Sequence, residues 1–365
     1  MSEEQPREEQ RKLRILFVNI ANSYAFSQKM CFAFKRLGHT THLIESLQTI
    51  VDYLNSKKNP ISINFFSAMG NPFSIKELIK FKGYKEEDLD LIFIEQGMFY
   101  FEKNAYCPPL GWTTLTPLTV PVVYYHRDLW NEVFMRFSDL LLYRFANHRT
   151  ALQYVSRQVW SNTIFKLQFR NAVDLRDWDP NREKEYKGLN FIGTRIPLER
   201  YLARDYVQRD YYKDTYDIVE YCREHKIAQV HDYYKMKFPE YHAILERCEA
   251  LLFIPGKNAY LSRRLYEAAA CKCMLFMYVP SEFAKLQYER VLGLTHGLNC
   301  VMFENKEQLK NLWIMYKNKR KKIVENAYEW VSKSHTYDLR ALELEKVFYQ
   351  LLKKLEEKNA RKEVV

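Results

Sequence analysis

Short unbroken apolar runs, set between segments of helical periodicity, recur along this chain. Residues 14–20 (RILFVNI) read as a buried strand. Phe26, Met30, Phe34 and Leu37 then recur at helical spacing, Gly38 stands where a helix would end, and residues 41–45 suit the next strand. Together they predict a β-α-β unit. Residues 88–97 (DLDLIFIEQG) and 120–126 (VPVVYYH) predict later parallel strands of the same sheet. A second such unit is compressed into residues 248–277. There the apolar run 251–254 is broken by Pro255, Gly256 and Asn258, a helix is predicted over about 261–271, and a further strand over 273–279. Residues 338–358 close the chain with a long amphipathic helix pattern through Leu344, Phe348, Leu351 and Leu355.

The helix at 261–271 holds the most specific chemistry. Its N-terminus presents unpaired N–H groups and the positive end of the helix dipole, which together favour phosphate. Arg263 and Arg264 fall in its first turn, where a cation opposes the dipole unless an anion is bound, and Glu267 lies one turn on along the same face. The same spacing also allows a plain α/β helix in which Glu267 only pairs with Arg263 or Arg264.

Ser262, Arg264, Glu267, Ala268, Ala270 and Cys271 together resemble the Ser-x-Arg-x-x-Glu-Ala-x-Ala-Cys signature of GT-B glycosyltransferases of the group-1 (family 4) type, and in particular their spore-maturation-protein-like branch. Residues 171–180 (NAVDLRDWDP) resemble that family's interdomain linker, and residues 188–194 (GLNFIGT) resemble the first strand and glycine turn of its second domain. Ala327, Val331, His335, Thr336, Tyr337 and Arg340 resemble the branch's closing segment. The run PVVYYHRDLW resembles a Pro-Val-Val-x-x-x-His-Asp-x-Trp motif, with Arg127 inserted between His126 and Asp128.

The resemblance implies an α/β fold of the GT-B type, with two Rossmann-like domains whose parallel sheets face each other across a cleft. It places an N-terminal acceptor domain at 13–170 after a charged arm at 1–12, a nucleotide-sugar donor domain at 171–335, and a helix at 336–365 that crosses back to the first domain, an oligomer interface being the alternative for that helix. It implies that Glu267 holds the donor ribose, and that Gly193, Arg195, Arg200, Lys257, Tyr260, Ser262 and Arg264 surround the diphosphate. His126 would approach the transferred sugar, with Asp128 beside it. A histidine at a strand end also suits plain backbone bonding. Asn22 and Glu95 are weaker candidates for the acceptor. The sequence departs from the pattern in two places: Ala259 stands where the first Glu of a Glu-x7-Glu pair is expected, and Lys272 replaces the glycine after Ala-Cys. The turn after the first strand (NIANSYAFS) also lacks the usual glycines.

Composition narrows the alternatives. At 365 residues the chain suits two domains, and 47% hydrophobic with 28% charged residues describes a globular protein. No run approaches eighteen apolar residues and the N-terminus is charged rather than signal-like, so a cytoplasmic protein that does not span a membrane is expected. Seven scattered cysteines favour reduced thiols over a disulfide framework, and none has partners at zinc spacing, so no metal and no cofactor beyond the co-substrate is expected. The formal charge is +11, densest at residues 317–322 (KNKRKK). Nothing there carries an RNA-binding or helix-turn-helix signature, so nucleic acid is not expected, while peripheral contact with a membrane stays open. The expected activity is transfer of a sugar from a nucleoside-diphosphate sugar to a hydroxyl of a glycan, a lipid-linked acceptor or a protein, with retention of configuration and without metal. A GT-B module that binds without catalysing, and a nucleotide-sugar epimerase, are the alternatives.

Overall fold

Two series of parallel strands carry the fold. The computed structural model describes residues 11–19, 26–45, 79–95, 99–101, 104–106, 120–126, 140–143, 165–168, 172–193, 206–232, 236–255 and 262–363. By its internal contacts the chain divides into two units. Met1–Ala146, Thr150–Phe169 and Tyr337–Val365 form the first, and Asn147–Arg149 with Arg170–Thr336 form the second.

The first unit holds β1 (Arg14–Asn19), α1 (Phe26–Arg36), β2 (Thr40–Glu45), β3 (Leu91–Glu95), a short antiparallel pair β4 (Phe99–Phe101) and β5 (Asn104–Tyr106), then β6 (Val122–His126), β7 (Leu140–Tyr143) and β8 (Phe165–Gln168). Its main sheet is parallel throughout, in the order β2-β1-β3-β6-β7-β8. A strand covered on both faces needs no polar alternation, which is why all five residues of β3 are buried. At the end of α1, Gly38 takes φ +88°, and its N–H and that of His39 bond back to Lys35 and Phe34, as the sequence expectation of a helix-ending glycine requires.

The second unit follows the same logic. It runs β9 (Tyr186–Gly193), α2 (Tyr206–Glu224), β10 (Ala228–Asp232), α3 (Phe238–Arg247), β11 (Cys248–Phe253), α4 (Arg263–Ala270), β12 (Met274–Tyr278), α5 (Glu282–Leu286), β13 (Val301–Phe303), α6 (Gln308–Tyr316) and α7 (Arg320–Ser334). The parallel sheet has the order β10-β9-β11-β12-β13. Alternate residues feed two cores. Leu251, Phe253, Leu275 and Met277 join Tyr241, Leu245, Leu265 and Tyr266 on one face. Ala250, Leu252, Met274 and Phe276 join Ile218, Val219 and Cys222 on the other. Each fully buried large side chain of this kind contributes about 1.5–3 kcal/mol relative to exposure.

The linker and closing motifs meet within this unit. Val173 forms a parallel β-bridge with Thr336, and its N–H donates to the His335 carbonyl at 3.0 Å. The buried His335 ring packs on Trp330 at 4.5 Å and on Tyr266 of α4 at 5.2 Å. Immediately afterwards begins α8 (Tyr337–Glu363), which lies in the first unit. Its apolar face packs on α1: Phe348 stacks on Phe34 at 5.3 Å, and Arg36 donates to Asp338. His39, just after α1, meets Glu345 at 2.8 Å. The buried face of α8 therefore contributes to the core of the first unit. Among the described residues no helix is long and apolar enough to cross a membrane. The six described cysteines are all buried, and burial raises the Cys222 and Cys273 thiols to about 12.

Candidate functional site

In an open parallel sheet, ligands gather beyond the C-terminal strand ends where the strand order reverses. In the second unit that point lies between β9 and β11, since β10 flanks β9 on one side and β11, β12 and β13 extend the other. Gly193 is the last residue of β9, and α4 begins after the turn that follows β11. Arg264, in the first turn of α4, donates from its guanidinium to the Ile192 carbonyl, so the helix start is tied to the end of β9. Gly193 makes room for this contact. A Cβ there would come within 2.4 Å of the Phe191 ring and 3.2 Å of the Arg264 guanidinium.

Glu267 faces the same region and is buried, with 7% of its surface exposed. The Tyr241 hydroxyl, from α3, donates to its Oε2 at 2.5 Å, and Arg263 Nε stands 3.9 Å from Oε1. The sequence reading that paired Glu267 with an arginine alone therefore misses its main partner. Tyr241 is itself buried, edge-on to Trp178 of the linker at 6.5 Å. Burial and the Glu267 charge push the Tyr241 hydroxyl well above its ordinary pKa, and Arg264 and Arg263 partly offset this. The hydroxyl therefore stays protonated and acts as a donor. Nothing in the run FPEYHAILER marks Tyr241 as a site residue, because it falls at the helical spacing of a core position between Phe238 and Leu245.

The two ends of α4 differ sharply. At its start Ser262 occupies the N-cap in extended conformation, yet its hydroxyl makes no cap bond and, among the described residues, is buried without a hydrogen-bond partner. The first turn holds no acidic residue, and Arg263 and Arg264 stand there instead. A dipole end with two cations and a cap hydroxyl suits an anion with several acceptor oxygens. At its end, Lys272 N–H bonds to Ala269 O at 3.0 Å and Cys273 N–H to Ala268 O at 2.9 Å, the pair of contacts that defines a left-handed helix stop. Lys272 adopts φ +54° to make them. The departure from glycine thus leaves the backbone path intact, and the Lys272 side chain reaches Glu325 at 2.8 Å. Lys184 Nζ bonds the Glu246 carbonyl at the end of α3 and the Cys271 carbonyl at the end of α4, which fixes both helix ends.

The first unit offers a contrast. Its strand order reverses between β1 and β3, and α1 starts beyond that point. Glu95, at the end of β3, is fully buried, and its two oxygens accept the N–H groups of Phe26 at 3.2 Å and Ser27 at 2.7 Å. The carboxylate that the sequence offered as a weak acceptor candidate is thus bonded to the first turn of α1. His126 ends β6, in register with Tyr143 of β7. Asn22, Asp128, Arg195, Arg200, Lys257 and Tyr260 lie outside the described residues. The structure brings together Gly193, Ser262, Arg264 and Glu267 from the sequence-predicted set and adds Tyr241.

Comparison with known proteins fits this geometry. Two solved structures share the architecture along most of the chain. A glycosyltransferase from Rickettsia africae ESF-5 is 12% identical with a TM-score of 0.54, over 94% of this chain and 100% of its own. The catalytic domain of starch synthase IV from Arabidopsis thaliana, solved bound to ADP and acarbose, is 9% identical with a TM-score of 0.54, again over 94% and 100%. The fold is GT-B. Residues 207–346, from α2 into α8, match the family described as glycosyl transferase-like, and this span contains Tyr241, Ser262, Arg264 and Glu267. No curated protein matches the chain at the level of sequence.

Proposed function

We propose that this GT-B protein is a glycosyltransferase that moves a sugar, a hexose by its nearest motif resemblance, from a nucleoside-diphosphate sugar to an acceptor hydroxyl. The observation that carries the reading is the convergence of Arg264, the acid-free first turn of α4 and the buried Glu267 beside the strand-order reversal of the second sheet. Phosphate oxygens need donors and positive charge, while a vicinal diol needs a buried acceptor. These residues supply both within one helix. The glycosyl transferase-like match over 207–346 and the fold support the same reading.

In this reading Glu267 accepts from the ribose hydroxyls while Tyr241 holds its other oxygen. The departing diphosphate gathers negative charge, and donors already in place stabilise it without reorganisation. Arg264, anchored on Ile192, and the Ser262 hydroxyl take that role, with Arg195, Arg200, Lys257 and Tyr260 completing the donor side. His126 serves the transferred sugar and Asp128 orients it. Transfer proceeds with retention and without a divalent metal, because guanidinium groups do the work of the cation. Lys272 argues against a module that has lost catalysis, since its backbone takes the conformation a glycine would take.

The test is release of free nucleoside diphosphate from UDP-, GDP-, ADP- and TDP-sugars, with and without EDTA, beside thermal shifts with each nucleotide. A bound nucleotide at a hundred times its Kd adds about 2.7 kcal/mol of stability. Release from one donor, unaffected by EDTA, is the expected result. Binding without turnover under any acceptor would leave a binding module, and no binding at all would dismiss the donor site.

A further inference from the structure

The second unit carries an outward-facing patch that the donor site does not use. On α6, Leu309 is buried and Leu312, Trp313 and Tyr316 pack against the core, which turns the opposite side of the helix to solvent. That side displays two adjacent apolar residues, Ile314 at 53% and Met315 at 58% exposure, the largest exposures among the described apolar side chains. Leu298, 48% exposed, lies on a separate loop, where Gly297 packs on Tyr316 and the Leu298 carbonyl accepts from Asn326 of α7. Lysines bracket this apolar spot. Lys310 precedes Ile314 by one helical turn, and Lys317, Lys319, Lys321 and Lys322 follow on the exposed turn and the start of α7. Between residues 306 and 322 there are seven Lys or Arg against one acidic residue, Glu307. Arg320 is the exception in direction, since it turns to Glu249 at 2.9 Å. Lys319 sits over the Tyr316 ring at 5.6 Å, and Lys310, Lys317, Lys321 and Lys322 have no acidic partner among the described residues.

We infer that the α6–α7 corner is a docking surface for an anionic lipid bilayer, with Ile314 and Met315 entering the headgroup boundary and the lysines engaging phosphate headgroups. Charge and apolar exposure point the same way. A solvated lysine run gains nothing from two bare apolar neighbours, and an apolar protein partner gains nothing from four or five unpaired lysines. A bilayer with anionic headgroups rewards both, through apolar burial at the interface and attraction within a Debye length of the surface. The inference stands apart from the glycosyltransferase reading, since it uses no donor-site residue.

Flotation of the full chain with vesicles decides it. The probes are phosphatidylcholine alone and phosphatidylcholine with about a third phosphatidylglycerol. The expected result is binding to the anionic vesicles only, weakened as salt rises toward about 1 M. Each lysine near such a surface is worth about fivefold in partition. Replacing Lys317, Lys319, Lys321 and Lys322 by Gln should therefore lower binding by more than about a hundredfold. The pair Ile314→Ser and Met315→Ser should lower it by about tenfold or more while the lysines remain. Every substituted side chain is exposed, and thermal melting of each variant checks that the fold is kept. Vesicle binding indifferent to the lysine variant would overturn the proposal. So would a serine variant that binds like the parent, or equal binding to a short DNA duplex, since either marks a general polyanion surface.

Discussion

Glu95 accepts the backbone N–H of Ser27 at 2.7 Å, so a carboxylate from one strand closes the start of the helix that follows another. Beside the strand-order reversal of the second sheet, the first turn of α4 holds Arg263 and Arg264 and no acidic residue of its own, and the buried Ser262 hydroxyl has no hydrogen-bond partner among the described residues. The two helix starts thus differ in charge: a carboxylate meets the positive dipole end of α1, whereas two guanidinium groups stand in the first turn of α4.

Glu95→Gln should accordingly act on stability rather than on the nucleotide. The substitution keeps one acceptor oxygen but removes the charge facing two N–H groups, for an expected loss of about 1.5–3 kcal/mol in urea denaturation. Nucleotide affinity measured by calorimetry should stay within about twofold. Loss of nucleotide binding in a folded Glu95→Gln protein would place Glu95 in the donor site and reverse the contrast.

Tyr241→Phe removes the hydroxyl that holds Glu267 and leaves the ring against Trp178. Binding of the nucleoside diphosphate should weaken by about 0.5–1.5 kcal/mol, the net worth of one hydrogen bond. Preference for the ribonucleotide over its 2′-deoxy form should narrow as well, because Glu267 is then free to turn. Glu267→Gln should weaken binding further, by about 1.5–3 kcal/mol. Equal affinity of Tyr241→Phe for ribo- and deoxyribonucleotide, with the parent showing the same ratio, would mean that Glu267 does not read the ribose.

Gly193→Ala should be costly at a position with no unusual backbone angle. The added methyl meets the Phe191 ring and the Arg264 guanidinium, so one of them must move. Overpacking of this kind costs about 1–3 kcal/mol of stability. If Arg264 is the group that yields, nucleotide affinity falls together with the melting temperature. A variant with both unchanged would show that Phe191 rotates away freely and that Gly193 is not needed to seat Arg264.

Lys272→Gly should raise stability, by about 0.5–1 kcal/mol in chemical denaturation, because glycine reaches φ +54° without steric penalty. The exposed Lys272–Glu325 pair that is lost contributes about 0–1 kcal/mol and sets the lower end of the gain. Lys272→Ala keeps the strained conformation and loses the pair, so it should not stabilise. A destabilised Lys272→Gly protein would assign the larger share to the contacts of the lysine side chain.

His39 should make the first unit sensitive to acid. Its Nδ1 accepts the Leu13 N–H at 3.1 Å, which leaves Nε2 to donate to Glu345 at 2.8 Å, so the ring is neutral in place. Burial lowers its pKa below 6.5 and nearby Lys12 adds to this, against the opposing pull of Glu345. The unfolded chain therefore takes up this proton first. Stability is fully present above about pH 6.5 and is lost as pH falls through the folded pKa, with a slope of up to about 1.4 kcal/mol per pH unit for one proton. His231 and His296 are lowered by burial too and steepen the same fall. His39→Asn, which keeps an acceptor for Leu13, should reduce the slope between about pH 6.5 and 5. An unchanged slope would exclude His39 as a contributor.

The sequence alone determined what depends on short-range pattern. Apolar runs buried on both faces located β1, β3, β6, β11 and β12 to within a few residues, because a two-sided core admits no polar alternation, while β9 was placed by its resemblance to a family segment. Helical spacing and the conformational demand on Gly38 located α1 and its end. Helical spacing put Glu267 one turn from Arg263 and Arg264, whereas the motif Ser262-x-Arg264-x-x-Glu267 was legible only through its resemblance to a family signature. Tertiary structure decided the partners. Tyr241 stands 26 residues from Glu267 and reads as a core position until the fold brings α3 against α4. Glu95 looked free for an acceptor until α1 was seen to start on its carboxylate, 69 residues away in sequence. Lys272 looked like a lost glycine until its backbone proved left-handed. In each case the deciding quantity was a hydrogen bond or a dihedral set by distant packing, and a linear pattern carries no record of which buried polar group will face which.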